Sequence, residues 1–412
     1  MLSVFFEQIL KIYKVSMRKW ILLIVFSLPV FSEQVLIVDP HYSPYMGAYD
    51  LLSAEWGLTK LEDYLNPNQD EGGTLNIMGR GLEQLGWYTI NSVTSTVQHE
   101  VFGHGYRLRE LGVTPKKYTI SLDGGGATYF NVDSSFLVGE MLAVDVAGLE
   151  AESILAQTAK MNWLSKGSID GRLAMTYFNA QQSLFFYTLI THLGRLHGNH
   201  YIPGNDIDAY LELLNATYPN SKMTIGELTF WSAFNWLDPM TCYSLFSWFY
   251  YIAEGRAWDI PSFKLSENLR YLPNVKIGYA PYGPEAYLEN FFSLNSRPIY
   301  FYLKGGKRSF GTGLFYDHLI DKDRWSLGCH IDGWIQSQFL SSATLKDFDN
   351  GYSVAAPGGK IAGVAFSLIN KVRLYSSLKL FLELGGKTAG YLPGYTLSGG
   401  IVVRGGVSIC DY

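Results

Sequence analysis

The sequence has few charged residues for its length. Charged residues make up 17% of the 412 positions, against about 25% in an average soluble chain, whereas 48% of positions are hydrophobic. The net charge of −5 comes without long acidic or basic runs, so we expect no nucleic-acid partner. Together with 29 tyrosines and 24 phenylalanines, this composition favours an envelope or membrane-facing protein over a cytosolic enzyme.

Cysteine is also scarce. The three cysteines, Cys242, Cys329 and Cys410, lie far apart and are odd in number. Their spacing matches neither a disulfide framework nor a zinc ribbon. At most one disulfide can form, so cysteine usage does not indicate a redox compartment.

The N-terminus has the pattern of an export signal. From Met17, a short basic stretch precedes the apolar run 20–28, and small residues at Val30 and Ser32 suit cleavage before Glu33. The apolar run is shorter than the about 20 residues that span a bilayer. Residues 1–32 are therefore predicted to be a signal peptide, with Met17 as an alternative start, and the protein is expected to be exported.

The remaining chain predicts an α+β protein with two structured regions. Residues 33–77 are turn-rich and form an N-terminal segment, whereas residues 78–256 have helical periodicity around a β-hairpin near 116–130. Residues 257–412 change to a period of two, which predicts an antiparallel β-domain of seven to ten strands, either a small barrel or a sandwich. Two apolar stretches, 173–193 and 228–253, are long enough to span a bilayer but equally suit buried helices.

The motif that carries chemistry is QHEVFGHG, residues 98–105. Two histidines beside a carboxylate are the residues that a hydrolytic metal site requires. His99 and His104 are five positions apart, however, which places them about 140° apart on a regular helix. A π-helical bulge would bring both onto one face, and Gly103 lowers the cost of that distortion.

HEVFGH (99–104) resembles the HExxGH motif of dipeptidyl peptidase III-type zinc metallopeptidases. The resemblance implies that His99 and His104 bind zinc and that Glu100 is the general base. It also implies a glutamate ligand on a later helix, and VAGLEAESILA (146–156) supplies Glu150 and Glu152. GLEAE is similar to the Gly-x-x-x-Glu arrangement of thermolysin-type helices, which favours Glu152.

A second resemblance offers another third ligand. The order of zinc helix, arginine-containing turn and glycine-rich hairpin in residues 99–126 is similar to that of site-2-protease-like enzymes. In that group the third ligand is an aspartate in a Leu-Asp-Gly context. NWLDP (235–239) contains Asp238 after Leu237, with Pro239 in place of the glycine.

These observations predict an exported zinc metallopeptidase associated with the cell envelope, acting on a peptide or protein substrate. The alternating C-terminal strands, with aromatic residues near their ends, are typical of outer-membrane proteins and soluble sandwiches alike. We therefore expect membrane association and a location in the periplasm or outer membrane of a Gram-negative-type envelope. The alternative function is a non-enzymatic outer-membrane or surface β-barrel protein with a structural helical insert.

Overall fold

A computed structural model describes residues 33–66, 73–198, 204–340, 342–356, 358–375 and 377–409. The predicted signal peptide and Cys410 lie outside these ranges. The α-helices and the π-helix, in chain order, are α1 (Pro44–Leu65), α2 (Thr74–His99), the π-helix (Glu100–His104), α3 (Gly105–Glu110), α4 (Val138–Asp145), α5 (Ala147–Lys166), α6 (Ala174–Leu196), α7 (Asp206–Thr217), α8 (Ile225–Ser232), α9 (Pro239–Glu254) and α10 (Leu345–Asp349).

The helical periodicity between residues 78 and 256 is confirmed by the helices from α2 to α9. The expectation of a turn-rich segment before it was wrong, because α1 is a helix of 22 residues. Ser43 caps this helix by accepting a hydrogen bond from the backbone N–H of Met46, and Pro44 occupies the first helical position. Proline is well tolerated there because its missing N–H would have no partner within the helix.

Strands occupy the C-terminal part of the chain and three short stretches before it. In chain order they are β1 (Gln34–Val38), β2 (Lys117–Ile120), β3 (Gly126–Tyr129), β4 (Ser168–Ile169), β5 (Trp258–Asp259), β6 (Phe263–Ser266), β7 (Leu269–Ala280), β8 (Gly283–Leu294), β9 (Arg297–Gly306), β10 (Ser309–Lys322), β11 (Trp325–Ser337), β12 (Lys360–Arg373), β13 (Leu378–Lys387) and β14 (Gly400–Ile409).

Ten of these strands form one antiparallel sheet in the order β1-β14-β13-β12-β11-β10-β9-β8-β7-β6. The predicted α+β class and the C-terminal antiparallel domain are confirmed. The strands form one sheet rather than two facing sheets, and the terminal strands of this order, β1 and β6, are not paired with each other within the described residues. β1 comes from the N-terminal segment and pairs with β14, for example Leu36 with Val407.

Helices α1 and α5 lie against the inner face of this sheet. Lys276 of β7 donates to the hydroxyl of Ser153 on α5 at 2.8 Å. At the other side of the sheet, the guanidinium of Arg404 on β14 lies 4.6 Å from the ring centroid of Tyr45 on α1. Distant strands therefore reach the same pair of helices, and the sheet and the helical region share a core.

The predicted hairpin is confirmed as the two-stranded sheet β2–β3. It lies over α2 and the π-helix, because the hydroxyl of Thr96 donates to the carbonyl oxygen of Gly124 at 2.8 Å. The apolar stretches 173–193 and 228–253 form α6 and the segment from α8 to α9. Among the helices of the described ranges, none combines the length and the hydrophobicity needed to cross a bilayer.

Candidate metal centre

The extra residue between the two histidines is accommodated by a π-helical turn. Residues Glu100–His104 form the π-helix that joins α2 to α3, as the five-residue spacing predicted. The turn brings the two imidazoles together, with Nε2 of His99 and Nε2 of His104 3.1 Å apart. Both nitrogens can therefore contact one ion.

Two glycines allow α5 to approach this turn closely. A Cβ atom on Gly103 would lie 2.6 Å from the carbonyl oxygen of Ala147, and one on Gly148 would lie 2.2 Å from Nε2 of His99. Interiors are packed as densely as organic crystals, so a larger side chain at either position would displace the helix or the ring. The small residues of α5 therefore fix the position of His99.

A carboxylate from a distant helix completes the cluster. Asp206 is the first residue of α7, which Asn205 caps, and its Oδ2 atom lies 3.3 Å from Nε2 of His99 and 3.2 Å from Nε2 of His104. Tyr187 of α6 holds Asp206 in place. Its hydroxyl donates to Oδ2 at 3.3 Å and accepts from the backbone N–H at 3.1 Å.

The three atoms have the spacing of ligands around one metal ion. Their separations of 3.1, 3.2 and 3.3 Å match the roughly 3.3 Å between ligand atoms in a tetrahedral site with bonds of about 2.0 Å. Two imidazole nitrogens and one carboxylate oxygen suit zinc and related divalent cations. The described residues thus contain a group able to hold a metal ion: His99, His104 and Asp206.

The outer nitrogen of each imidazole contacts an acceptor. Nδ1 of His104 donates to the carbonyl oxygen of Val144 at 2.8 Å, and Nδ1 of His99 lies 3.1 Å from Oε2 of Glu152. These contacts favour the tautomer with a proton on Nδ1 and a lone pair on Nε2, and they fix the ring orientations. Each inner nitrogen is therefore available to a cation.

The charges in the cluster stabilise one another. Burial alone would lower the pKa of His99, but Glu152 and Asp206 outweigh it and raise that pKa well above its ordinary value. Burial also opposes the charged form of His104, but the charge of Asp206 outweighs burial and raises the pKa of His104. Although its own burial acts in the opposite direction, Asp206 has a pKa below its ordinary value because of the two imidazoles. So much negative charge around two nitrogens favours a cation, and a bound metal would replace the protons.

The third ligand of the cluster, Asp206, differs from the carboxylates expected from the sequence. Glu152 approaches the outer nitrogen of His99, so that it holds the ring instead of sharing the ion. Glu150 points away to the buried guanidinium of Arg107, whose Nη2 atom lies 3.0 Å from both carboxylate oxygens. Residues two positions apart on an α-helix point in directions about 200° apart, which explains the separate environments of Glu150 and Glu152.

Asp238, the other expected ligand, also lies in a different environment. One carboxylate oxygen accepts a hydrogen bond from Lys160 at 2.7 Å, and the other caps α9 by accepting from the backbone N–H of Met240 at 3.0 Å. Both oxygens therefore have partners outside the metal cluster, and the role of Asp238 is to neutralise a buried lysine.

Glu100 lies beside the cluster, held by the hairpin. Its Oε2 atom accepts a hydrogen bond from the hydroxyl of Thr128 at 2.6 Å, and its carbonyl oxygen lies 3.1 Å from the same hydroxyl. A Cβ atom on Gly126 would lie 2.8 Å from Oε1, so the hairpin backbone passes close to the carboxylate. The hairpin thus fixes the direction of the carboxylate that the motif identified as the base.

The cluster opens on a cleft of about 1010 Å³, which the hairpin and helices α2, α6 and α7 line. Its acidic lining residues are Glu100, Asp123, Asp145, Glu152 and Asp206, whereas no lysine or arginine of the described ranges lines it. Asp145 is 4% exposed, and burial, followed by the charge of Asp206, raises its pKa well above its ordinary value. The cleft therefore favours neutral or cationic ligands over acidic ones.

Comparison of the chain with family models, with curated proteins and with solved structures finds no match. The resemblance to dipeptidyl peptidase III-type enzymes therefore rests on the short motif alone. The function of the cluster has to be inferred from its geometry.

Sequence reasoning missed Asp206. It stands in a short Asn-Asp-Ile-Asp stretch at the start of a helix, where acidic residues are common because they interact favourably with the helix dipole. It also follows His104 by 102 residues, so neither motif nor spacing connects them. Only the docking of α7 beside the π-helix brings them together.

The three carboxylates have distinct roles, which substitution should separate. We expect Asp206→Asn to lose stoichiometric metal, because a neutral amide is a much weaker ligand than a carboxylate. Glu152→Gln should weaken metal affinity by about 10- to 100-fold, as is usual for a residue that orients a ligand. Glu150→Gln should leave the affinity unchanged. Competition titration with a chromogenic chelator measures all three, and loss of metal in Glu152→Gln with retention in Asp206→Asn would reverse the assignment.

Proposed function

We propose that the protein is a zinc-dependent hydrolase of peptide bonds. The observation that carries the proposal is the convergence of three metal-binding atoms, from His99, His104 and Asp206, beside the carboxylate of Glu100 in an open cleft. Histidine and carboxylate ligands with an adjacent carboxylate base are what a zinc peptidase requires.

The number of ligands supports a catalytic site over a structural one. Structural zinc sites are usually closed by four protein side chains, whereas catalytic sites have three and keep one position open. Within the described residues the cluster has three members, and all three line the cleft. A substrate can therefore approach from the cleft.

The proposed roles follow from the contacts. A divalent cation held by His99, His104 and Asp206 would supply Lewis acidity and would make a nearby water more acidic. Glu100 accepts the proton of the attacking water and returns it to the leaving amine. Glu152 and Tyr187 position the ligands, because the first contacts the outer nitrogen of His99 and the second holds Asp206.

A peptide substrate is supported by the strand that borders the cleft. All four residues of Gly126–Tyr129, strand β3, line it. β3 pairs with β2 in a two-stranded sheet, so its other edge is unpaired within the described residues. An extended peptide can add to such an edge through main-chain hydrogen bonds, which hold the chain without requiring a particular sequence.

A second candidate function is non-enzymatic: an outer-membrane or surface protein whose helical region is a structural insert. The exposed apolar side chains of the ten-stranded sheet favour membrane contact in either case. The spacing of the three ligand atoms favours the enzyme. The signal-like stretch 17–32 supports the further proposal that the protein works in the periplasm or at the outer membrane.

Cleavage of a fluorescence-quenched peptide library by the purified full chain tests the proposed activity. Chelation with 1,10-phenanthroline should reduce the rate to background, and stoichiometric zinc should restore it, whereas magnesium should not because it prefers oxygen ligands. Asp206→Asn should stay inactive after the same treatment. Cleavage that persists in the metal-free chain, or in Asp206→Asn, would overturn the proposal.

A further inference from the structure

The outer face of the ten-stranded sheet is apolar and exposed. Side chains alternate along each strand, and one register row joins Val275, Leu288 and Leu303 across β7 to β9. A second row joins Leu314, Ile331 and Phe366 across β10 to β12. All six are 36–48% exposed, which is unusual for neighbouring large apolar side chains.

The inner face of the same strands carries charge. Lys304 and Glu285 on neighbouring strands lie 3.0 Å apart, and both are buried. Arg404 pairs with Glu383 at 2.8 Å in the same way. A water-soluble antiparallel sheet normally turns its apolar face to the core and its polar face to solvent. This sheet instead exposes apolar side chains on its outer face, whereas its inner face combines buried ion pairs with the apolar side chains of the core shared with the helices.

The outer face is convex, which limits what can cover it. Lys276 of β7 reaches Ser153 on α5, whereas His330 of β11 and Arg404 of β14 both pack around Tyr45 on α1. The sheet therefore curves around these two helices. A second rigid sheet would touch a convex face along a few strands, whereas fluid acyl chains can follow the whole curvature.

The distribution of charge along the strands matches a bilayer. On β12 the outward positions from Ala362 to Val372 carry no charged side chain. Ten residues of strand span about 33 Å, or about 25 Å when tilted by 40–45°, which is the height of the apolar band of outer-membrane proteins. The end of this stretch at Val372 pairs with Trp325, the first residue of β11. The turn between β10 and β11 therefore lies just beyond the apolar band, and it carries the charged residues Asp323 and Arg324. Hydrocarbon at the centre and polar headgroups at the rim would complement this pattern.

We propose that the convex face of the sheet contacts the acyl chains of a lipid bilayer. The cleft lies in the helical region, so the bilayer holds the candidate metal centre at the membrane without covering the metal ligands. The contact is independent of metal, and its failure would leave the proposed hydrolase untouched.

Flotation of the full chain with phosphatidylcholine–phosphatidylethanolamine vesicles tests the proposal. Wild-type protein should float with the vesicles and resist extraction with carbonate. Phe366→Lys should lower the ratio of vesicle-bound to free protein by at least about 30-fold, because it places a charge in hydrocarbon. The matched control Leu122→Lys, at an exposed leucine of the hairpin, should float like the wild type. Wild-type protein that stays monodisperse in the aqueous fraction would overturn the proposal.

A nitroxide label gives a second measurement that does not depend on a charged variant folding. Leu382→Cys is labelled in a chain that lacks the native cysteines, and Leu122→Cys serves as the control. The label at 382 should be more accessible to oxygen than to a polar nickel chelate, and the label at 122 should show the reverse. Equal nickel access at both positions, or a 382 label shielded from both reagents in a lipid-free dimer, would contradict lipid contact.

Discussion

Replacing Glu100 with glutamine is expected to lower turnover of a peptide substrate by about 10²- to 10⁴-fold. The substitution keeps the size of the side chain and one acceptor oxygen but removes its ability to accept a proton. The amide can still accept from the hydroxyl of Thr128, which now contacts Oε2 of Glu100 at 2.6 Å. The position of the side chain should therefore be kept while the proton transfer is lost.

Metal content separates this result from a damaged site. Glu100→Gln should bind one metal per chain with the affinity of the wild type, because the ligand atoms belong to His99, His104 and Asp206. Glu212→Gln, an exposed glutamate on α7, is the matched control and should retain full activity. An active Glu100→Gln enzyme with its metal in place would show that Glu100 is not the base. The proposal of a metal site would then stand without the proposed proton transfer.

The parts of the site that the sequence predicted are those whose information lies within a few residues. The π-helical turn follows from two histidines one position too far apart and from Gly103 between them. The hairpin follows from alternation around three glycines. Each is fixed by local geometry, so the printed sequence is sufficient to recognise it.

The ligand set could not be completed in the same way because it depends on packing between distant elements. The distance from the motif to Glu150 and Glu152 is suitable, and α5 does pack against the π-helix. Which face of α5 points inward is decided by Gly148, which admits the ring of His99. That choice leaves room for the ring of His99 and places Glu152 at the outer nitrogen of the ring. The third ligand atom therefore comes from Asp206 on α7.

Helix α1 was missed because its start has the composition of a loop. Residues 41–50 contain proline, serine and glycine, which often mark turns. Here Ser43 caps a helix and Pro44 occupies its first position, so the same residues act as start signals. Gly47 is required for packing, because a Cβ atom there would lie 2.3 Å from the ring of Phe102. Composition alone does not distinguish these roles from a turn.

Replacing Gly148 with alanine is expected to weaken metal binding by at least about 100-fold and to destabilise the fold by about 1–3 kcal/mol. The three heavy atoms nearest to the new Cβ all belong to the ring of His99, at 2.2, 2.4 and 2.5 Å. The ring sits between α5 and the carboxylate of Asp206, so it can relieve the overlap only by leaving the position that a shared ion requires. Metal affinity from competition titration and unfolding in urea measure the two effects.

A glycine on the same layer of helices provides the control, and a double variant tests the cause. Gly86 of α2 is exposed with no atom within 4 Å of a new Cβ, so Gly86→Ala should stabilise the chain by about 0.5–1 kcal/mol and keep the metal. In a His99→Ala background the overlap at Gly148 disappears, because the ring is absent. Gly148→Ala should then cost little stability, and the coupling energy between the two positions should account for most of the single-variant loss. Additive effects would mean that α5 meets something other than the histidine, and the close approach that positions the metal ligand would no longer explain the glycine.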